Sequence, residues 1–307
     1  MIKIIKKYLA KILRRMFEDE LEKKLILKAK RLSLDHNKIK KIDNLAKVEF
    51  QVSSQWGEDG IIDWILSKFT KLPKIFLEIG TQDYRESNTR FLLINRNYDG
   101  YIIEGDARAT KNIMSQRVYW KHNLTIKNKF VNKDNINNLV EEMNIPKKIG
   151  LLSLDIDGVD YWVLKELSVL DPSIIICEYN SLFGQKKSVT VPYKNNYIRS
   201  EEHYSNLYYG ASIKAFINQM KKKNYFLIGT NSAGNNAFFI KKNHWNKANK
   251  LIIKKKIFDA KFRESRDVKG NLSFLNKKKS LELIKNKLMI DLRNYKKKRI
   301  FELNLLN

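Results

Sequence analysis

Three carboxylates fall within the run Ser153-Leu154-Asp155-Ile156-Asp157-Gly158-Val159-Asp160, directly after an apolar stretch. An acid taken out of water is costly unless it is hydrogen-bonded, paired or bound to a cation, so the cluster needs a use. Strand alternation points Asp155 and Asp157 to the same side, and Gly158 lets the chain turn. One use is a hard-cation site. Mg²⁺ takes oxygen ligands, and Asp155, Asp157 and Glu178, with Asn180 nearby, would supply them. The other use has Asp155 meeting a substrate or cofactor while Asp160 caps the helix that starts at Tyr161.

Other polar residues stand at strand ends in the same way. The segment Leu77-Glu78-Ile79-Gly80-Thr81-Gln82-Asp83 places a glycine just past a strand, where a ligand can approach the backbone closely. Its carboxylates, Glu78 and Asp83, can accept hydrogen bonds from an amino group or from hydroxyls. Ile103-Glu104-Gly105-Asp106 ends the next strand with an acid that suits a ribose diol. Asp134-Asn135 precedes a helix, as a plain N-cap or as a partner for an adenine amino group. His203, in a long loop, joins Asp155, Asp157 and Glu178 as a candidate base. His36, His122 and His244 read as surface or structural residues.

The elements that position these groups alternate. IFLEIG (75–80), GYIIEG (100–105), IGLLSLDID (149–157) and SIIICEYN (173–180) read as buried strands, β-branched and bordered by glycine or proline. Helical patterns lie between them at 61–69, 88–95, 135–143 and 161–170. That order predicts a parallel sheet with right-handed crossovers, where ligands bind beyond the carboxyl ends of the strands. YFLIGT (225–230) and NAFFIK (236–241), joined through NSAGN, predict an antiparallel hairpin. The fold class expected is α/β, a Rossmann-like, mostly parallel sheet of about seven strands ending in that hairpin. Residues 51–241 form its core, residues 1–50 a basic helical extension, and residues 242–307 a helical extension packed on the core. Residues 186–209, rich in Tyr, Asn and Ser, read as a long loop over the sheet.

An ordered set of segments gives a more specific reading: SQWGEDGI, LEIGTQDYRESNT, GYIIEGD, DNIN, LLSLDIDGVDYWVLKEL, IIICEYNS, VPY, YYGASIKAF and GTNSAGNNAFFIKK. Together they resemble one branch of the FkbM-like methyltransferases, class I enzymes that use S-adenosylmethionine. The resemblance spans about residues 51–292. It implies that Glu78, Gly80 and Asp83 belong to the cofactor loop and that Glu104 holds the ribose hydroxyls. It also implies that Asp134 or Asn135 lies near the adenine, and that Gln55, Glu58 and Asp59 belong to an element closing over the cofactor. Asp155, with Asp157, would face the transferred methyl group. The chain departs from the family at Gln82 and Tyr84, where further glycines are usual, and a bulky Tyr84 would narrow the cofactor's approach. The family association implies O-methylation of a glycan or lipid-linked saccharide in surface polysaccharide synthesis. An RNA or protein methyltransferase and a non-catalytic binding module with the same sheet are the competing readings.

Composition limits the partners. The 307 residues carry 60 Lys and Arg against 33 Asp and Glu, a net charge of +27. Residues 51–241 nearly balance, at 25 basic and 20 acidic side chains, whereas residues 242–307 carry 20 and 6. The excess therefore sits on the flanks, and it is mostly lysine, while arginine, the preferred reader of phosphates and guanine edges, is scarce. A solvated surface explains it with less strain than nucleic acid does. Residues 1–17 form a basic amphipathic pattern suited to an anionic membrane surface. One cysteine, Cys177, excludes an intrachain disulfide, and with no apolar stretch long enough to span a bilayer the expected compartment is the cytoplasm, with peripheral contact at the inner membrane face.

Overall fold

A computed structural model describes residues 2–305, the side chains of residues 2–16, 18 and 19 excepted. The amphipathic reading of residues 1–17 rests on side chains outside the described residues. The chain opens with a long helix, α1 (Ile2–Lys38), followed by α2 (Glu58–Lys68). Strand β1 (Ile75–Ile79), α3 (Arg90–Arg96), β2 (Asp99–Glu104), α4 (Ala107–Met114), α5 (Arg117–Lys121) and β3 (Leu124–Asn128) come next. Then follow α6 (Ile136–Glu142), β4 (Lys148–Leu154), α7 (Asp160–Glu166), β5 (Asp171–Glu178) and the short β6 (Val189–Thr190). After them come α8 (Arg199–Glu202), α9 (Ile213–Lys222), β7 (Tyr225–Thr230), β8 (Asn236–Lys241) and α10 (Lys242–Leu251). The chain closes with α11 (Lys277–Leu283), β9 (Leu288–Asp291) and β10 (Lys296–Arg299).

Seven strands form one sheet in the order β3-β2-β1-β4-β5-β8-β7. The first five run parallel, and β8 alone is reversed, lying antiparallel to both β5 and β7. The hairpin expected at 225–241 is therefore present at the sheet's edge. Strand β3 was not foreseen, because LTIKN carries no apolar run: at the opposite edge its residues need only half-bury. Apolar side chains cover both faces. Helices α6, α7 and α9 pack Leu139, Val163 and Phe216 on one side, and α2, α3 and α5 pack Trp64, Leu93 and Val118 on the other. Where the strand order turns back, β1 and β4 lie side by side, with Ile79 opposite Leu154. Their carboxyl ends thus open the crevice in which α/β sheets bind ligands.

The flanks are tied to this sheet. Ile42 forms a parallel bridge with Ile252, and Ile253 and Lys254 donate their amides to the carbonyls of Ile42 and Asp43. The last strands, β9 and β10, make a second small sheet with β6. Helix α1 docks through Asp63 of α2, a carboxylate only 2 % exposed. It accepts from Ser33 Oγ at 2.9 Å, meets His36 Nδ1 at 3.1 Å, and pairs with Arg96 at 2.8 Å. Burial raises the Asp63 pKa, but His36 and Arg96 outweigh it and hold the carboxyl below its ordinary range. The stability it contributes is present above the unfolded carboxyl pKa and is lost as pH falls through the lowered folded value. Asp63→Ala leaves Ser33, His36 and Arg96 without their acceptor. It is expected to cost about 3 kcal/mol of unfolding free energy, measured in urea, and to release α1 to proteolysis before the sheet unfolds.

Candidate active site

A single cavity of about 780 Å³ lies over the carboxyl ends of β1, β2, β4 and β5, within the size range of small-molecule sites. Its shape is set by the loop after β1. Gly80 has φ +80°, and a Cβ there would stand 1.7 Å from the Asp155 carbonyl oxygen, so only glycine fits. Gln82 and Tyr84 also take left-handed conformations, at φ 49° and 63°. The chain keeps a glycine-type turn without glycine, at a cost of roughly 1–2 kcal/mol per residue. Tyr84 does not narrow the cavity. Its ring is fully buried in the core under the loop, with its hydroxyl 3.0 Å from Thr89 Oγ1.

Buried acids hold this loop and its neighbours. Glu78 accepts from the amides of Asn88 (2.9 Å) and Thr89 (3.1 Å) and from the Thr89 hydroxyl. Burial pushes its pKa up to about 7. Glu104 Oε2 accepts from the amides of Thr81 (2.9 Å) and Gln82 (2.7 Å), and Oε1 from Asp106 (2.8 Å). Asp160 accepts from Ile156 (2.9 Å) and Gly158 (3.0 Å), which folds the acid-rich turn back on itself. Burial raises the Asp160 pKa to about 6.

Asp155, Asp157 and Glu178 do come together, each offering an oxygen within 4.8 Å of the other two. Burial, then the charges of Asp157 and Asp160, raise the Asp155 carboxyl well above its ordinary value. Burial, then Asp155, does the same to Glu178. Two such carboxyls in one low-dielectric space each disfavour the other's ionisation. Glu178 Oε2 is buried and has no hydrogen-bond partner among the described residues. Asp157 is engaged by Arg199, whose guanidinium also pairs with Glu264 and lies 3.6 Å from the Tyr209 ring centre.

The remaining expected site residues divide. Gln55 lines the cavity beside Trp56, whose ring stacks on Phe262 at 5.3 Å. Glu58 and Asp59 do not line it. Glu58 accepts from Asn231 (2.6 Å) and Asn236 (2.8 Å), and Asp59 Oδ2 gathers the amides of Val52, Ser53 and Ser54. Asp83 faces away towards Arg85. Asp134 accepts from the Tyr193 hydroxyl at 2.9 Å, outside the cavity. Asn135 bonds the Phe130 carbonyl (2.9 Å), so it shapes the wall that Lys129, Phe130 and Val131 form. His203 sits away from the cavity, bonded to Ser205 Oγ at 2.7 Å. Sequence reasoning missed Arg199 at the start of α8, Asn235, Asn236 at the start of β8, Phe262 and Glu264, which also line the cavity. Phe262 and Glu264 fall inside the span of the resemblance, residues 51–292, but outside the segments that carry it.

No protein-family model matches this sequence, and neither does any curated protein. Among solved structures, the chain is similar to the N-terminal domain of EvdMO1 with SAH bound, at 10 % identity over 61 % of this chain and 80 % of that one, TM-score 0.40. A S-adenosylmethionine-dependent methyltransferase from Clostridium acetobutylicum gives 11 %, 60 %, 90 % and 0.39. The O-methyltransferase from Bacillus cereus in complex with SAH gives 13 %, 57 %, 76 % and 0.36. These likenesses concern the fold alone. The strand order, with its one reversed strand next to the edge, is that of a Rossmann-like, mostly parallel α/β sheet.

Two predictions follow from the loop. Gly80→Ala forces a Cβ into backbone and is expected to lower the melting temperature and abolish ligand binding in the cavity, whereas Gln82→Gly relieves strain and stabilises by about 1 kcal/mol. For Glu78 the folded pKa lies above the unfolded one, so the folded state holds the extra proton between them. Stability should therefore fall as pH rises from about 5 to 7. Chemical denaturation of Glu78→Gln should show a shallower fall over that interval; an equal slope would assign the pH dependence elsewhere.

Proposed function

We propose that this chain is an S-adenosylmethionine-dependent methyltransferase of the FkbM-like type, acting on a hydroxyl of a saccharide or lipid-linked glycan. The observation that carries this reading is that one large cavity is lined together by the Gly80 turn and Glu104, by Asp155 and Glu178, and by the stacked Trp56 and Phe262. The Gly80 turn and Glu104 suit a nucleoside. Glu104 Oε1 keeps an acceptor position beyond its bond to Asp106, and Lys129–Val131 would flank the base. The aromatic pair and the carboxylates suit a sugar, whose apolar face would lie on an aromatic ring while its hydroxyls reach carboxylates and the amides of Asn235 and Asn236.

S-adenosylmethionine supplies a sulfonium methyl, the electrophile of an in-line displacement. The protein's residues align the acceptor and take its proton. The ionised member of the Asp155–Glu178 pair accepts the hydroxyl proton as the oxygen–carbon bond forms, and the second carboxyl, already protonated, avoids a second buried charge. Arg199 fixes Asp157 and offsets the remaining negative charge.

A specific observation favours a second version with a metal. The three carboxylates and the unpartnered Glu178 Oε2 form an all-oxygen donor set, which suits Mg²⁺. Mg²⁺ would be held by Asp155, Asp157 and Glu178 and would acidify the acceptor hydroxyl. Arg199 competes for Asp157 in that arrangement. Among the described residues no helix is long and apolar enough to cross a membrane. Contact with the membrane's inner face therefore rests on residues 1–17.

Calorimetric titration with S-adenosylhomocysteine is expected to show micromolar binding, and tighter binding with Mg²⁺ would favour the metal version. Well-folded protein that binds nothing in either buffer would sink the methyltransferase reading. Asp155→Asn should lower transfer to a glycan acceptor by at least about a hundredfold and leave S-adenosylhomocysteine affinity nearly unchanged. Full-rate transfer by that variant would remove Asp155 from the chemistry.

A further inference from the structure

Behind the loop after β1, on the side away from the large cavity, lies a second cavity of about 230 Å³. Ile26 of α1, Ile94 of α3 and Val118 of α5 give it an apolar wall. Lys23, Arg117 and Lys121 stand exposed around it, and none of the three makes an ion pair among the described residues. The one acid lining it, Glu22, is already neutralised by Arg90 at 2.7 Å. His122 Nδ1 is buried there without a partner among the described residues. Burial, then the charges of Lys121, Arg90 and Lys30, lower its pKa and keep the ring neutral, so it can donate one hydrogen bond.

An apolar wall rimmed by uncompensated cations selects an amphiphile with an anionic head. We propose that this cavity binds a phosphate monoester, its oxygens held by Arg117, Lys121 and Lys23 and its first carbons laid on Ile26, Ile94 and Val118. Guanidinium and ammonium groups together match a phosphate's spread of acceptor oxygens. The site also touches the cofactor loop from behind. Gln116 Nε2 donates to the Asp83 carbonyl at 2.7 Å, and Arg90 Nη1 to the Tyr84 carbonyl at 3.4 Å. An occupant that shifts Gln116 or Arg90 thus acts on the same loop whose Thr81 and Gln82 amides hold Glu104, and any coupling to the large cavity must be reciprocal.

The test is calorimetric titration of the full chain with dodecyl phosphate below its micelle threshold, inorganic phosphate and dodecyl maltoside, in the absence of cofactor. One-to-one micromolar binding of dodecyl phosphate is expected, weakened at least tenfold in the double variant Arg117→Gln, Lys121→Gln. Both positions are exposed, and an unchanged melting temperature will show that the variant is folded. Inorganic phosphate binding tenfold or more weaker assigns the site to a lipid phosphate; equal binding assigns it to free phosphate. The proposal is overturned if neither phosphate binds saturably, if the neutral maltoside binds as well, or if the double variant binds as tightly as the native chain.

Discussion

Where a parallel sheet ends, its loops must turn sharply and leave several amides pointing inward with no strand to pair with. Here each such group is collected by one buried carboxylate. Glu104 takes Thr81 and Gln82, Glu78 takes Asn88 and Thr89, Asp160 takes Ile156 and Gly158, and Asp59 takes Val52, Ser53 and Ser54. An unpaired buried amide costs roughly 1–3 kcal/mol, so these acids are structural before they are anything else. Glu78 and Glu104 line the cavity while they hold the loop after β1 in place. Asp155 and Glu178 stand out against that pattern, since among the described residues no loop amide satisfies them and their carboxylate oxygens come together with that of Asp157.

That contrast explains how far the sequence could be read. Central strands were legible because both faces are buried, which writes them as apolar runs with glycine or proline borders. The reversed strand showed itself through the short NSAGN connection. Strand β3 and helices α4 and α5 were not legible, since edge elements alternate too weakly and are too short for a period to emerge. At the site, acids following strand ends were easy to find but not to sort. Glu58, Asp59 and Glu104 share the same type and similar neighbours; only the fold decides which faces the cavity. Arg199, on the short α8, and Phe262 and Glu264, after α10, come from stretches distant in sequence, with no local spacing to mark them.

The charge distribution also gains a meaning from the structure. Lysines concentrate on the flanking segments, while the cavity gathers acids and only a few cations near it. Within such a field Arg199 is not a surface residue that happens to be basic. It ties the acid-rich turn, helix α8 and the segment around Glu264 into one wall. Removing its charge would loosen three separate stretches of chain at once.

The bridge between Ile42 and Ile252 sets an order on assembly. A ribosome exposes the first partner long before it makes the second, and at roughly 5–20 residues per second the wait is on the order of 10–40 s. Glu49 and Glu58 wait nearly as long for Ser232 and for Asn231 and Asn236. During that interval Leu45 and Val48 have the apolar residues of α2 to pack on, while Ile228 and Phe238 of the same cluster are still to be made. The segment between α1 and α2 is therefore completed only when the β7–β8 hairpin and the stretch after α10 have been made.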